Sequence, residues 1–204
     1  MIEFNGHSIG LLFARSRLYA RRVSFEAGRY RLGPDNATLA VRTERAGAAA
    51  KAGHDLLIHA TVWEATLVVA DDPGGTTMEL TADATSLRVI EGSGGIQALG
   101  DEDVASIHQT IDDEVLRRQD ISFRSTSVQA DGDTLRARGD LTIVGNTQPI
   151  EFDLVSGDGG ELSGSAVVTQ TAFGMNPYSA LFGALKVKDE VEVALDGHLE
   201  PQSR

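Results

Sequence analysis

The chain has 204 residues and a formal net charge of −12, from 18 Lys plus Arg against 30 Asp plus Glu, and 41% of its residues are hydrophobic. So acidic a balance disfavours a surface that neutralises phosphates or anionic lipid headgroups, and no nucleic-acid partner is expected. The absence of cysteine excludes disulfides, thiolate nucleophiles, zinc–thiolate clusters and iron–sulfur sites. The length fits one domain with an appendage, and the only lysines, Lys51, Lys186 and Lys188, lie outside any G-x-x-x-x-G-K-[ST] pattern.

Residues 1–26 carry Arg15, Arg17, Arg21 and Arg22 against Glu3 and Glu26, a charge of +2 that leaves −14 for the remainder. This shift predicts an N-terminal tail over 1–26, flexible or docked on the acidic body. Its basic residues follow the apolar run Ile9 to Ala14 instead of preceding it, so it does not read as a signal peptide. The longest uncharged run, Leu162 to Leu185, has only 13 hydrophobic residues in 24 and does not read as a membrane span. A cytoplasmic protein is the expectation.

The predicted domain, 27–200, shows alternation with period two interrupted by turn clusters, the pattern of half-buried antiparallel strands. Trp63, Ala65, Leu67 and Val69 oppose Val62, Glu64, Thr66 and Val68; the turn at Asp71 to Gly75 then leads into Met78, Leu80, Ala82 and Ala84. From Asp101 the period changes. Asp101, Glu102 and Asp103 precede Val104, Ile107, Ile111 and Val115 at helical spacing, with Arg117 and Arg118 at the far end, so charge complements the dipole of one amphipathic helix of about four turns.

The alternation returns with Leu135, Ala137, Gly139, Leu141 and Ile143 against Arg136, Arg138, Asp140 and Thr142. It continues through Ile150, Phe152 and Leu154, through Leu162, Gly164, Ala166 and Val168, and through Val191, Val193, Leu195, Gly197 and Leu199. Gly145-Asn146 and Gly157 to Gly160 supply the turns between them. Residues 201–204 read as a short C-terminal tail. Long strands with a single inserted helix and no helix–strand alternation predict an all-β fold: an antiparallel barrel of about eight strands, closed so that it has no edges.

A barrel of that size is either filled by side chains or holds one small ligand. Small residues at Ala82 and Ala84, Ala137 and Gly139, and Gly164 and Ala166 leave room for an apolar ligand. The other reading of the same pattern is that Trp63, Phe123, Phe152 and Phe173 fill it. Chemistry is poorly represented. His54 and His59, five apart on a strand, would point to opposite faces about 16 Å apart, and His108 with Asp112 lacks the further ligands of H-E-x-x-H. Neither G-x-S-x-G nor G-x-G-x-x-G occurs, and the acidic clusters at Asp101 and Asp112 match no EF-hand loop. No catalytic residue, metal or cofactor is expected.

Four stretches together resemble the YceI-like family. Gly139-Asp140-Leu141-Thr142-Ile143-Val144-Gly145-Asn146-Thr147-Gln148-Pro149 is similar to its G-x-L-T-hydrophobic-x-G-x-T-x-P hairpin, and Ile121 to Val128 to its I-x-F-x-S strand. The opening from Gly28 through Gly53-His54-Asp55 resembles a branch with a G-H-D element, and Phe173 to Val193 its closing hairpin. The segment before Ile121 lacks the family's R-D-x-H-L and F-F-D elements, so the helix and the mouth are expected to differ. The resemblance implies a lipocalin-like barrel whose lumen holds a long apolar chain, such as a polyprenyl phosphate or an isoprenoid quinone. On it rests the expectation of a non-enzymatic carrier or sequestering protein for a polyisoprenoid or other long-chain lipid. Trp63, Leu67, Phe123, Leu141, Ile143, Phe152, Val168 and Phe173 are its lining candidates, with His54 and Asp55 at the mouth beside a polar head group, unless His54 simply caps a strand end. An interaction scaffold with a filled lumen and a small enzyme acting on a lipid head stay open, and the sequence is compatible with a homodimer.

Overall fold

The computed structural model describes residues 25–201 apart from Pro73 and Asp158. The expected tail over 1–26 therefore lies outside the described residues except for Phe25 and Glu26, as do 202–204 of the C-terminal one. In chain order the strands are β1 (Gly28–Leu32), β2 (Ala37–Thr43), β3 (Arg45–Ala46), β4 (His54–Ala60), β5 (Trp63–Val69), β6 (Thr77–Ala82) and β7 (Leu87–Gly94). Helix α1 (Asp101–Thr110) follows. Then come β8 (Ile121–Asp131), β9 (Thr134–Ile143), β10 (Asn146–Ser156), β11 (Glu161–Thr169), β12 (Ser179–Ala180), β13 (Leu185–Val187), β14 (Glu190–His198) and β15 (Glu200–Pro201).

Twelve of these strands form one antiparallel sheet in the order β15-β1-β5-β6-β8-β9-β10-β11-β14-β2-β4-β7. The sheet curls into a half-barrel, with more strands than the eight expected and with β15 and β7 left at its two ends rather than paired with each other. The extra strands include β1 and β15, added beyond β5, and β15 pairs through only two residues. A separate three-stranded sheet, β12-β13-β3, stands beside the main one.

The alternation read from β9 is realised residue by residue. Leu135, Ala137, Leu141 and Ile143 are buried, whereas Arg136, Arg138 and Asp140 are exposed. On the outer face Arg136 and Arg138 meet Asp153 and Glu151 of β10 as cross-strand ion pairs. The glycine in this row allows a close approach: a Cβ at Gly139 would lie 2.7 Å from ring atoms of Phe123, so the aromatic ring lies over the gap.

The interior is divided. Leu32, Leu67, Leu135 and Leu162 are the largest fully buried side chains, and Tyr30, Trp63, Val69 and Ala137 pack in the same core. At an area coefficient of about 25 cal/mol/Å² each such leucine contributes about 1.5–3 kcal/mol. The expected helix is present, although its last turn, Ile111–Val115, widens into a π-helical turn. The Gly100 N–H donates to Asp103 Oδ2 (3.0 Å), which caps the start of α1. His108 ties α1 to strand β7, because its Nε2 accepts the Val89 N–H at 2.9 Å. That bond falls where β7 bulges: Leu57 is opposite Glu91 but Ile58 is opposite Val89, so Ile90 has no partner in β4. The side chain thus satisfies a backbone donor next to the irregularity.

Candidate functional site: an apolar cavity inside the half-barrel

Above the packed floor the half-barrel encloses a cavity of about 770 Å³. Its wall comes from eight consecutive strands, β6-β8-β9-β10-β11-β14-β2-β4, together with Leu87 at the start of β7, and the small sheet adds Arg45 of β3 and Leu185, Lys186 and Val187 of β13. Helix α1 and the turn after it close one side with Ile107, Ile111, Val115 and Leu116, and the loop Ile96 to Leu99 lies between that helix and β7. The volume is within the range of small-molecule sites, and the wall is overwhelmingly aliphatic and aromatic.

Period two explains the wall. On β4, His54, Leu56, Ile58 and Ala60 share the inner face and all line the cavity. On β2 the inner residues are Leu39, Val41 and Thr43, and on β14 they are Val191, Val193 and Leu195. Phe123 of β8 and Phe152 of β10 meet across the wall, with ring centroids 5.3 Å apart and planes inclined at 58°, a favourable tilted aromatic arrangement. The space depends on small side chains where strands pass close to one another: Ala60, Ala82, Gly164 and Ala166 all border it. A Cβ at Gly164 would fall 2.8 Å from Leu154 Cδ2, so the glycine also permits the β10–β11 packing behind the wall.

Of the expected lining residues, the structure brings Phe123, Leu141, Ile143, Phe152 and Val168 to the cavity, with His54 at its edge. Trp63, Leu67 and Phe173 do not border it. Trp63 and Leu67 belong to β5, which with β1 covers the packed part of the interior, and Phe173 is buried in the turn after β11. Asp55 is likewise absent, for a geometric reason: neighbours on a strand point to opposite faces, so inward His54 sends Asp55 outward. There Asp55 accepts the Arg45 N–H (2.7 Å) and pairs with the Arg45 guanidinium (3.2 Å). Of the small residues, Ala84, Ala137 and Gly139 also stay outside the cavity; Ala84 and Ala137 are wholly buried and Gly139 lies under the Phe123 ring.

Sequence reasoning missed the wall contributed by β2 and β4 and the helix face. The runs ATLAVRT and HDLLIHA are too evenly apolar to reveal which residues face inward. The helix signal was visible in Ile107, Ile111 and Val115, but not the surface against which that stripe would lie.

Polar groups gather at the rim. His54 Nε2 is 2.8 Å from the Gln97 carbonyl oxygen, and Arg45 Nη1 donates to the Ser93 carbonyl (2.7 Å). Both contacts need Gly94 and Gly95, whose φ values of +83° and +74° favour glycine and whose absent Cβ atoms would overlap Arg45 and His54. Glu44 accepts from Lys188 and raises the pKa of that ammonium above its ordinary value. Among the described residues no group of three His, Cys, Asp or Glu side chains could hold a metal ion. Among them, too, no helix is long and apolar enough to cross a membrane.

In fold the chain is similar to BcnA of Burkholderia cenocepacia, at 14% identity and a TM-score of 0.55 over 78% of this chain and 94% of that one. It is also similar to a mutant of the CJ YCEI protein, at 13% identity and a TM-score of 0.50 over 72% of this chain and 85% of that one. No curated protein matches it in sequence. The model of the YceI-like domain matches residues 30–199, nearly the whole of the half-barrel, and the chain belongs to that family.

Proposed function

We propose that the protein binds a long-chain apolar ligand of isoprenoid or related lipid type in the half-barrel cavity, to store or carry it, without chemical turnover. The observation that supports this most is the cavity itself: about 770 Å³ of space walled by inward aliphatic and aromatic side chains from eight strands. Burying a methylene there contributes about 0.8 kcal/mol. Arg45, His54 and Gln97 lie together at the rim, which suits a ligand with an apolar tail inside and a more polar end outside.

This space favours a binding protein over a scaffold barrel, whose interior would be packed throughout. His54, the one histidine on the cavity wall among the described residues, is engaged with the Gln97 carbonyl, and this engagement does not favour the reading of an enzyme acting on a lipid head.

The test is equilibrium binding of a tritiated C20 isoprenoid alcohol to the wild type and to Ala166→Trp, whose indole would project into the cavity from β11. Saturable binding near one molecule per chain, lost in a folded Ala166→Trp protein, is the expected result. Equal uptake by the two proteins would place the ligand elsewhere and defeat the reading.

A further inference from the structure

The mouth of the cavity continues into an exposed tip, Leu181 and Phe182, that does not itself line the cavity. Beside it stands the small sheet β12-β13-β3, and the hairpin joining β12 to β13 projects Leu181 and Phe182 into solvent. Phe182 is fully exposed and Leu181 is 59% exposed. Both have left-handed backbones, with φ of 51° and 54°, followed by Gly183 at 87°. Large apolar residues are rare in that conformation, so this tip combines backbone strain with exposed apolar surface.

The tip adjoins the rim. Gly53, which lines the cavity next to His54, packs so closely on Leu185 that a Cβ would come within 2.6 Å of its side chain. Across His54, the loop after Gly95 places Ile96, 83% exposed, on the same rim.

Charge is gathered here too. All three lysines of the chain are in or beside this small sheet: Lys186 on β13, Lys188 directly after it, and Lys51 in a short turn packed on β13. Among the described residues Lys51 and Lys186 form no ion pair and Tyr178 to Lys188 contains no acidic residue, while the carboxylates nearby include Glu44, paired with Lys188, Asp55, paired with Arg45, and Asp103 on the helix side of the cavity. The overall charge of −12 disfavours contact with anionic headgroups, but the three lysines of the chain gather around one exposed aromatic tip at the mouth of an apolar cavity.

We propose that this face docks on an anionic lipid bilayer. Leu181, Phe182 and Ile96 enter the interfacial region, and Lys51 and Lys186 meet the phosphates, so that the mouth opens toward the acyl chains. Apolar insertion and attraction to anionic lipid are the two components of interfacial binding. The proposal rests on the reading that the cavity holds a lipid, because a lipid cargo leaves and enters a bilayer most directly through a mouth lying on it.

The experiment is co-flotation of the full chain with vesicles of phosphatidylcholine containing 30% phosphatidylglycerol, and with vesicles of phosphatidylcholine alone. The wild type is expected to float with the anionic vesicles and to be released by salt. Leu181→Asn with Phe182→Asn keeps residues that tolerate the left-handed conformation, and should lower vesicle affinity by about tenfold or more. Lys51→Gln and Lys186→Gln should each lower it about fivefold.

Failure of flotation in the wild type, or equal flotation by the asparagine variant, overturns the proposal. So does a concentration-dependent dimer, seen by sedimentation and abolished by the same substitutions, with no flotation; the tip would then belong to a second copy. The cavity reading is scored separately. Ala166→Trp should float like the wild type while failing to take up the isoprenoid alcohol, and the asparagine variant should take up alcohol supplied in solution normally. A wild type that floats but binds no alcohol leaves the docking face standing and removes the cavity's proposed ligand.

Discussion

Affinity should depend steeply on chain length up to a limit set by the cavity. The perturbation is the ligand: linear alcohols of increasing length, then isoprenoid alcohols. Each methylene moved from water to the wall contributes about 0.8 kcal/mol, so four of them contribute about 3 kcal/mol. Freezing their torsions takes back about 0.5–1.5 kcal/mol, judged from the ordering of flexible side chains. The remainder, about 1.5–2.5 kcal/mol, corresponds to about a 10- to 70-fold gain in affinity for each four methylenes added. The gain must stop when the space is full. The cavity of about 770 Å³ holds about 25 methylene-sized groups if each takes about 30 Å³, the share of one water in the liquid. Displacement of a fluorescent long-chain probe, with every alcohol held below its aggregation threshold, reads the series directly. The predicted curve rises and flattens near 25 carbons. A flat response across the short alcohols, or a rise that continues well beyond that length, would refute the assignment of the chain to this cavity.

Other outcomes follow from the division between packed floor and open wall. Leu135→Ala, at a fully buried position outside the cavity lining, should lower unfolding stability by about 2–5 kcal/mol in urea. Phe152→Ala, on the wall, should cost less in stability while changing ligand affinity; the opposite ranking would mean that floor and wall are misassigned. His108→Leu leaves the Val89 N–H without its acceptor, and should cost about 1–3 kcal/mol, with faster hydrogen exchange at Val89 and in α1; unchanged exchange there would show that the bond does not hold the helix. Asp83 accepts from the hydroxyl and the backbone N–H of Thr85, which holds its carboxyl below the usual carboxylate range. A depressed folded value means that its stabilisation is present above the unfolded value of about 3.9 and is lost as pH falls through the folded one. Asp83→Asn should therefore be less stable than the wild type at pH 7, with the gap closing as pH drops below about 4; a gap independent of pH contradicts the assignment.

How much of this was legible in the sequence depended on whether a segment had one wet face. Strand β9 did, so Arg136, Arg138 and Asp140 marked the outside and the inward residues followed. Strands β2 and β4 have apolar residues on both faces, and the alternation that places His54 inward and Asp55 outward was hidden within HDLLIHA. The two and three residues of β3, β12, β13 and β15 are too short for any period to register, so the sheet ends and the small sheet at the mouth emerged only in three dimensions. Small residues were ambiguous for a related reason. Gly139 and Ala166 look alike as gaps in sequence, but a ring from the neighbouring strand covers the first while the second borders the cavity. Trp63 and Phe173 were sensible lining candidates by size, yet the curl of the sheet put β5 and the turn after β11 against the packed interior.

The most direct measurement is native mass spectrometry of protein freshly purified from cells, followed by organic extraction and identification of what is released. The account predicts a stoichiometric apolar molecule with a long chain, absent from Ala166→Trp prepared in the same way. Wild-type protein that is empty, and that stays empty after incubation with isoprenoid alcohols and quinones of several lengths, would contradict it.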